Sequence, residues 1–285
     1  MIRAQAQRLS GDRLHLHHGP IDMICQAWGR LADVDDAYHR ATLRFDGLLE
    51  ELVAELPSLR SENAALFGGI ARKMNAAVAP YRPLFITPMA AVAGAVADTI
   101  LHSMKGDGIT RAYANNGGDI AVHLTPGQSL TCAIAKTGID CTTQIAANKR
   151  ARGIATSGWR GRSWSLGIAD AVTVLARTAA AADAAATMIA NAVDLPYHPA
   201  IQRRPAHQLQ ADTDLGARLV TVEVAHLTPT DVATALSAGL VAAQQYFDRG
   251  LIEGAAIFLQ GEMRTLNLTL GPAQNLLLPK ETAIA

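Results

Sequence analysis

The spacing of apolar residues in the first hundred positions predicts two short strands followed by three helices. Apolar residues on either side of a Gly-Pro pair indicate the strands, and leucine and phenylalanine at helical spacing indicate the first helix. Thr87 followed by Pro88 is typical of a helix start, since threonine is a good N-cap and proline suits the first helical position. The predicted elements are strands at 13–16 and 21–27 and helices at 35–55, 62–79 and 88–104.

Strand patterns broken at turn residues dominate the rest of the chain. The sequences Asn-Asn-Gly-Gly and Thr-Pro-Gly-Gln separate neighbouring strands and predict hairpins. An alanine-rich helix and a later helix capped by Thr228 are also expected. The predicted strands are 111–115, 119–124, 129–136, 153–156, 164–168, 171–176, 219–224, 255–259 and 263–268, the helices are 179–193 and 229–247, and 194–216 is expected to be a polar surface loop.

These elements predict the α+β class, with helices packed on an antiparallel sheet, because hairpins join most of the strands. The 285 residues, 49% of them hydrophobic, suffice for one large core, and we expect a single domain over residues 1–285. Lys and Arg number 25, as do Asp and Glu. Such a balance gives no overall field to attract nucleic acid or an anionic membrane, so neither is expected as a partner.

Cysteine usage and the apolar runs predict a cytoplasmic protein. Three cysteines without a Cys-x-x-Cys pair argue against a disulfide framework or a zinc site and fit a reducing compartment. The first twenty residues lack the apolar region of a secretory signal. The longest apolar runs, near 84–101 and 171–193, contain charged residues that a membrane span would not tolerate.

A glycine-containing turn between two predicted strands is a candidate nucleotide-binding loop. Gly117 and Gly118 free the backbone for positive φ and can expose N–H groups to an anion such as a pyrophosphate. The neighbouring Asn116 and Asp119 can contact a ribose or a base edge. An ordinary hairpin turn would have the same composition.

Two further segments offer oxygen ligands. Thr156 and Ser157 follow a strand and can bond phosphate oxygens, or close a simple turn. Asp183 and Thr187 are four residues apart and so share a face of the alanine-rich helix. Two hard oxygens on one face suit Mg²⁺, which completes its shell with water and substrate phosphates. The alternative is an aspartate favoured by the helix dipole.

The order of these motifs resembles that of the ApbE (FAD:protein FMN transferase) superfamily. A helix of small residues, Asn-x-Gly-Gly-Asp, Ala-Thr-Ser-Gly and Ala-Asp-x-x-x-Thr follow one another between about 83 and 193, and the closing hairpin 255–268 is also similar. The resemblance implies an ApbE-like, T-fold-related architecture. It further implies that FAD or FMN binds at 116–119, and that Asp183 and Thr187 hold Mg²⁺.

The chain departs from that superfamily in two places. Ala93 stands where the transferases have lysine, and residues 159–170 lack the His-x-x-Asp-Pro-x-Thr-Gly segment of the transferases. Arg160 and Arg162 within this interval could neutralise phosphates instead. The chain therefore resembles a soluble branch of the superfamily without that segment.

Three functions are compatible with these residues. An enzyme would use Mg²⁺ to polarise the pyrophosphate of FAD, for FMN transfer or related chemistry. A non-catalytic accessory, assembly or carrier protein would keep the pocket without the reaction, and the fold could also serve an enzyme for another heterocycle, such as a pterin. Trp159 and Trp164 could stack on a flavin ring, although ordinary packing is favoured. The sequence leaves open the catalytic residues and the oligomeric state, including a homodimer.

A His-x-His-His cluster near the start of the chain invites a metal interpretation. His15 and His17 would share one face of a strand, as metal ligands can. Exposed strand histidines are common, and no Cys, Asp or Glu companion is predicted for His15, His17 or His18. Asp22 is expected to cap a turn.

Overall fold

The computed structural model describes residues 3–63, 65–134 and 141–272, and it has an α+β fold. Its strands are β1 Gln5–Leu9, β2 Arg13–His18, β3 Ile21–Gly29, β4 Ile109–Asn116, β5 Asp119–Leu124, β6 Ser129–Ile134, β7 Cys141–Ala146, β8 Gly153–Ser157, β9 Ala171–Ala176, β10 Ile201–Pro205, β11 Leu219–Val224, β12 Gly254–Leu259, β13 Glu262–Leu266 and β14 Gly271–Pro272. Its helices are α1 Leu31–Phe45, α2 Leu48–Ala54, α3 Leu56–Leu59, α4 Gly69–Val78, α5 Val92–Met104, α6 Ala179–Ala192, α7 Ala206–Leu209 and α8 Pro229–Asp248.

Nine strands form one large antiparallel sheet in the order β1-β2-β3-β4-β5-β8-β9-β12-β13. A two-stranded sheet pairs β10 with β11, and a three-stranded sheet has the order β14-β7-β6. The antiparallel sheet confirms the predicted fold class. Among the helices of the described residues, none combines the length and the apolar character needed to cross a membrane.

Helices α5 and α6 pack on the middle of the large sheet and against each other. Helix α5 contacts β4 and β5, and α6 contacts β8 and β9. Their approach is close, since a Cβ atom on Gly94 would lie only 2.3 Å from the carbonyl oxygen of Ala179. The run of small residues in α5 therefore serves helix packing, and it also brings the starts of both helices together.

Two predicted helices differ from the observed ones. The helix expected at 35–55 is broken into α1 and α2 at Gly47, whose φ of 77° is left-handed and ends the first helix. The helix expected at 62–79 begins only at Gly69. Glu55, the residue between α2 and α3, explains part of this delay, because its carboxylate accepts hydrogen bonds from the N–H groups of Phe67 and Gly68 in the loop before α4.

The helix start predicted at Thr87 was wrong in detail. Pro88–Ala91 forms a short 3₁₀ turn, and α5 begins at Val92. The Thr87 side chain does not cap this turn, because its hydroxyl donates a hydrogen bond to the carboxylate of Asp214. The Thr87 hydroxyl thus bonds Asp214, which is distant in sequence, instead of the backbone N–H groups at the start of the helix.

Several strand assignments also needed correction. Residues 164–168 are irregular rather than a strand, since the backbone N–H of Leu166 donates to the Asn191 side chain at 3.0 Å. Strand β5 pairs with β8, and β6 pairs with β7, so the hairpin predicted at Thr-Pro-Gly-Gln does not form. The expected strand 129–136 ends at Ile134, and its last two positions lie outside the described residues. The predicted loop 194–216 contains β10 and α7, because β11 provides β10 with a partner.

Candidate functional site

The turn between β4 and β5 has the backbone that its two glycines predict. Gly117 and Gly118 have φ values of 63° and 111°, and the Gly118 N–H donates to Asn115 Oδ1 at 2.9 Å. Arg162 lies over this turn, so closely that a Cβ atom on Gly117 would be 1.9 Å from its Nη2 atom. The left-handed backbone therefore favours glycine at 117, whereas the exposed end of the Arg162 side chain can move aside.

Asp119 begins β5 directly after this turn and is buried, with 9% of its surface exposed. Its Oδ1 atom accepts a hydrogen bond from the Thr156 N–H at 3.2 Å. Burial raises the pKa of Asp119 to about 7, because the charged form loses water, although the Thr156 N–H and Arg162 oppose this rise. The carboxyl group is thus poised to change charge near neutral pH.

A second carboxyl group, Asp183, reaches the same place from α6. Its Oδ2 atom accepts a hydrogen bond from the N–H of Gly94, the third residue of α5, at 3.0 Å. Loss of solvent raises the pKa of Asp183 well above its ordinary value, and the nearby charge of Asp119 raises it further. Two acidic side chains from distant parts of the chain therefore interact electrostatically.

Helices α5 and α6 exchange acidic caps beside this pair. Asp183 in α6 bonds the start of α5, while Asp98 in α5 accepts hydrogen bonds from the N–H groups of Ala179 and Ala180 at 3.0 and 2.9 Å. Burial raises the pKa of Asp98, although both backbone hydrogen bonds oppose the rise. These carboxylates satisfy N–H groups that a helix start leaves without partners.

Asn116 and Thr187 are close in sequence to Asp119 and Asp183, respectively. Asn116 is buried and donates from Nδ2 to the Ala93 carbonyl oxygen at 3.2 Å, so it ties the glycine turn to α5. Thr187 lies one helical turn beyond Asp183 and lines a small cleft of about 40 Å³. Trp164 and Asp214 also line this cleft.

The remaining predicted site residues are placed differently. Ser157 ends β8 and is half-buried, and the neighbouring Thr156 bonds Thr173 hydroxyl to hydroxyl at 2.8 Å. Arg160 donates to Asp170 Oδ1 at 2.6 Å and stacks on its neighbour Trp159, so its observed partners lie within its own segment. The structure thus brings the glycine turn, Asp119, Arg162 and Asp183 together, with the Thr156 backbone, while Arg160 is committed elsewhere.

Comparison with known proteins identifies the family. The sequence profile described as AbpE bacteria matches residues 4–265, which is most of the chain. The chain belongs to this family. The matched residues include β5 and α6, the two elements that contribute the acidic pair.

Curated relatives of this chain include proteins named UPF0280 protein. The one from Methanococcus vannielii is 38% identical over 115 residues, which cover 37% of this chain and 45% of the relative. The protein from Methanocaldococcus jannaschii is 37% identical over 114 residues, covering 38% and 45%. The one from Methanoregula boonei is 34% identical over 123 residues, covering 41% and 51%. The matched part of the chain thus spans about half the length of these relatives.

The contacts of two residues at or near the site, Asp98 and Asp214, could not be predicted from the sequence pattern. Asp98 lies in the apolar helix α5, where a lone acid signals a polar partner, and that partner is the start of α6. Asp214 lies in a polar segment with many such residues. Nothing local marked it as the partner of Thr87, because the contact exists only in the folded chain.

The histidine cluster has a companion that was not predicted. Asp22 does not cap a turn, because its Oδ1 atom lies 2.7 Å from His15 Nε2 on the neighbouring strand. His17 shares this carboxylate at 3.9 Å, whereas His18 faces the interior with its ring edge toward Phe45. In the described part of the chain, no group of three or more His, Cys, Asp or Glu side chains has the arrangement to hold a metal ion.

Proposed function

We propose that this chain binds a flavin nucleotide, FAD or FMN, together with Mg²⁺, around Asp119 and Asp183. The motif order that resembles the ApbE superfamily supports this proposal, since the segments that resemble its nucleotide loop and its metal helix contribute Asp119 and Asp183, whose charges interact. The observation that carries it is the electrostatic interaction of the two carboxyl groups at the end of the glycine turn. An ApbE-like relationship is part of the same proposal.

The acidic pair fits a divalent cation. Asp119 accepts the Thr156 N–H, and Asp183 accepts the N–H groups of Gly94 and Ala93. A carboxylate has about four lone-pair sites, so both side chains keep acceptor positions for a ligand. Mg²⁺ takes few protein ligands, prefers carboxylates and keeps water or phosphate oxygens. When bound, it would neutralise the pair and polarise a phosphate oxygen. Thr187 adds a hydroxyl on the same face of α6.

The glycine turn and Arg162 fit a phosphate. A turn with positive φ at successive glycines can present backbone N–H to an anion, although the Gly118 N–H already donates to Asn115. The guanidinium of Arg162 over this turn can pair with phosphate through two parallel hydrogen bonds. Arg162 lies at this turn and also lowers the pKa of Asp119, although burial prevails. The phosphate group would therefore lie between the cation and Arg162.

The flavin ring needs more room than the observed cleft provides. A volume of about 40 Å³ is far below the roughly 300–1,000 Å³ of ordinary ligand pockets. Trp164 lines this cleft, is 40% exposed and belongs to an irregular segment, so outward movement of this segment would enlarge the site. The proposal therefore requires that the contacts of Trp164 change on binding.

A second candidate is a flavin carrier or accessory protein without catalysis. Arg160 is paired with Asp170, and residues 159–170 contain no histidine, so this segment offers no imidazole for proton transfer. The enzymatic alternative is transfer of FMN from FAD to an acceptor hydroxyl, with AMP as leaving group. Release of AMP from FAD in the presence of Mg²⁺ distinguishes the enzyme from the carrier.

Calorimetric titration with FAD, with and without Mg²⁺, tests the binding site. Asp183→Asn should weaken Mg²⁺-dependent binding by at least about tenfold, because it removes the charge while its amide oxygen can still accept the Gly94 N–H. Asp107→Asn is the matched control, since Asp107 is exposed and lies in the turn between α5 and β4, outside the motifs. Absence of Mg²⁺-dependent FAD binding by the unmodified chain would overturn the proposal. Binding of a pterin instead would keep the pocket but change its ligand.

A further inference from the structure

A basic pocket lies between three helices and belongs to none of the motifs discussed above. It has a volume of about 250 Å³ and is formed by α1, α4 and α5. Its lining includes Arg44, Gly69, Lys73, Thr99, His102 and Ser103. The three residues from α5 are spaced so that they share one helix face.

Lys73 is held in this pocket by a neutral partner. Its Nζ atom donates to Thr99 Oγ1 at 3.1 Å, and the Thr99 hydroxyl in turn donates to the Ala95 carbonyl oxygen at 2.8 Å. Among the described residues, no carboxylate lies within ion-pair distance of Lys73, although the charges of Asp98 and Glu51 act on it. An ammonium group has three N–H donors, so Lys73 can direct two more into the pocket.

The charged groups around Lys73 are of both signs, and the cations Lys73, Arg44 and Lys105 outnumber the carboxylates of Asp98 and Glu51. Arg44 contributes a guanidinium, which also donates to Glu51 at 2.7 Å, and Lys105 adds its charge to the field at Lys73. The opposing carboxylate of Asp98 is occupied by two backbone N–H groups of α6. Partial loss of solvent lowers the pKa of Lys73, which is the direction that a bound anion would reverse.

We propose that this pocket binds the phosphate group of a small phosphorylated compound, with Lys73 and Arg44 as its charged donors. A phosphate offers several acceptor oxygens to these cations and to the hydroxyl and imidazole groups on the α5 face. The volume lies just below the range of ordinary pockets for drug-sized ligands. It suits a ligand smaller than a dinucleotide such as FAD, so this site is separate from the one proposed above.

Calorimetry with inorganic phosphate, at an ionic strength held constant with sodium chloride, tests the site. The unmodified chain should show saturable binding, and Lys73→Met should weaken it by at least about tenfold. The matched control is Arg72→Met, which removes a positive charge from the neighbouring exposed position of the same helix and should change the Kd less than about twofold. Lys73→Arg, which keeps the charge, should retain part of the affinity.

Three results would overturn this proposal. The first is phosphate binding that does not saturate. The second is equal weakening of phosphate binding in Lys73→Met and Arg72→Met. The third is acetate that displaces phosphate as well as phosphate itself does at the same concentration. Because Lys73 is exposed, its variants should fold, and a melting temperature close to that of the unmodified chain verifies this. FAD binding should be unchanged in Lys73→Met. A failure of the phosphate proposal can therefore be distinguished from a failure of the flavin proposal.

Discussion

At the scale of single residues, Asp119 couples the site to the stability of the fold. Its pKa rises from 3.8 to about 7 on folding, so between these values the folded chain holds a proton that the unfolded chain has released. The contribution of Asp119 to the free energy of unfolding is therefore largest near pH 4 and is lost as the pH rises toward 7. The slope from this group is at most about 1.4 kcal/mol per pH unit. Asp98 and Asp183 shift in the same direction and add to the loss.

Asp119→Asn should remove this part of the pH dependence. The amide oxygen of the variant can still accept the Thr156 N–H, and its neutral side chain no longer repels Asp183. Urea unfolding at pH 5 and pH 7 in the presence of a chelator should show the variant gaining stability relative to the unmodified chain at the higher pH. Parallel pH curves for the two proteins would contradict the shift, and Asp107→Asn serves as a surface control.

At the scale of elements, the close crossing of α5 and α6 makes Gly94 a sensitive position. A Cβ atom there would meet the backbone of Ala179 and Ala180 at 2.3 to 2.6 Å, and backbone cannot rotate away as a side chain can. Gly94→Ala should cost about 2 kcal/mol or more of unfolding free energy, despite the better helix propensity of alanine. Chemical denaturation measures this cost.

Gly69→Ala is the matched control for that prediction. Gly69 begins α4, and a Cβ atom there would have Glu51 Oε1 as its nearest neighbour, at 3.9 Å. The substitution should therefore be neutral or stabilise the protein by roughly 0.5–1 kcal/mol, since it reduces the freedom of the unfolded chain. Equal effects at the two glycines would show that the crossing is looser than described.

Local signals predicted those elements whose determinants are neighbours in sequence. The Thr228 cap was confirmed, because its capping box with Asp231 is closed within four residues. The Thr87 cap was wrong because Asp214 takes its hydroxyl, and the strand expected at 164–168 was wrong because Asn191 takes its backbone N–H. The glycine turn could likewise be predicted, whereas the exchange of acidic caps between α5 and α6 depends on how the helices cross.

At the scale of the whole molecule, the large sheet is completed by strands from opposite ends of the chain. Strand β1 forms one edge and is largely exposed, whereas β12 is wholly buried between β9 and β13. The acidic pair comes from β5, the middle strand of this sheet, and from α6, which packs on β8 and β9. The strands at the two edges of the sheet, β1 and β13, contribute no residue to the site.

Deletion of the edge strand β1 and deletion of the hairpin of β12 and β13 should have very different consequences for folding. Deletion of residues 3–9 removes an exposed edge strand and should leave a folded protein that is somewhat less stable. Deletion of residues 254–266 exposes one side of β9 and the apolar face under α8, so the chain should fail to fold. Far-UV circular dichroism and thermal unfolding compare the two proteins. A cooperative transition in the second deletion would contradict the central role of β12.

The bond between Gly94 N–H and Asp183 gives the protein a built-in spectroscopic reporter. A cation that engages Asp183 draws electron density from the carboxylate that this amide contacts, so the Gly94 amide proton should change its chemical shift and its exchange rate. The amide of Ala180, bonded to Asp98, provides an internal reference from the opposite half of the same exchange of caps. One backbone resonance would then report metal occupancy directly, without any assay of turnover.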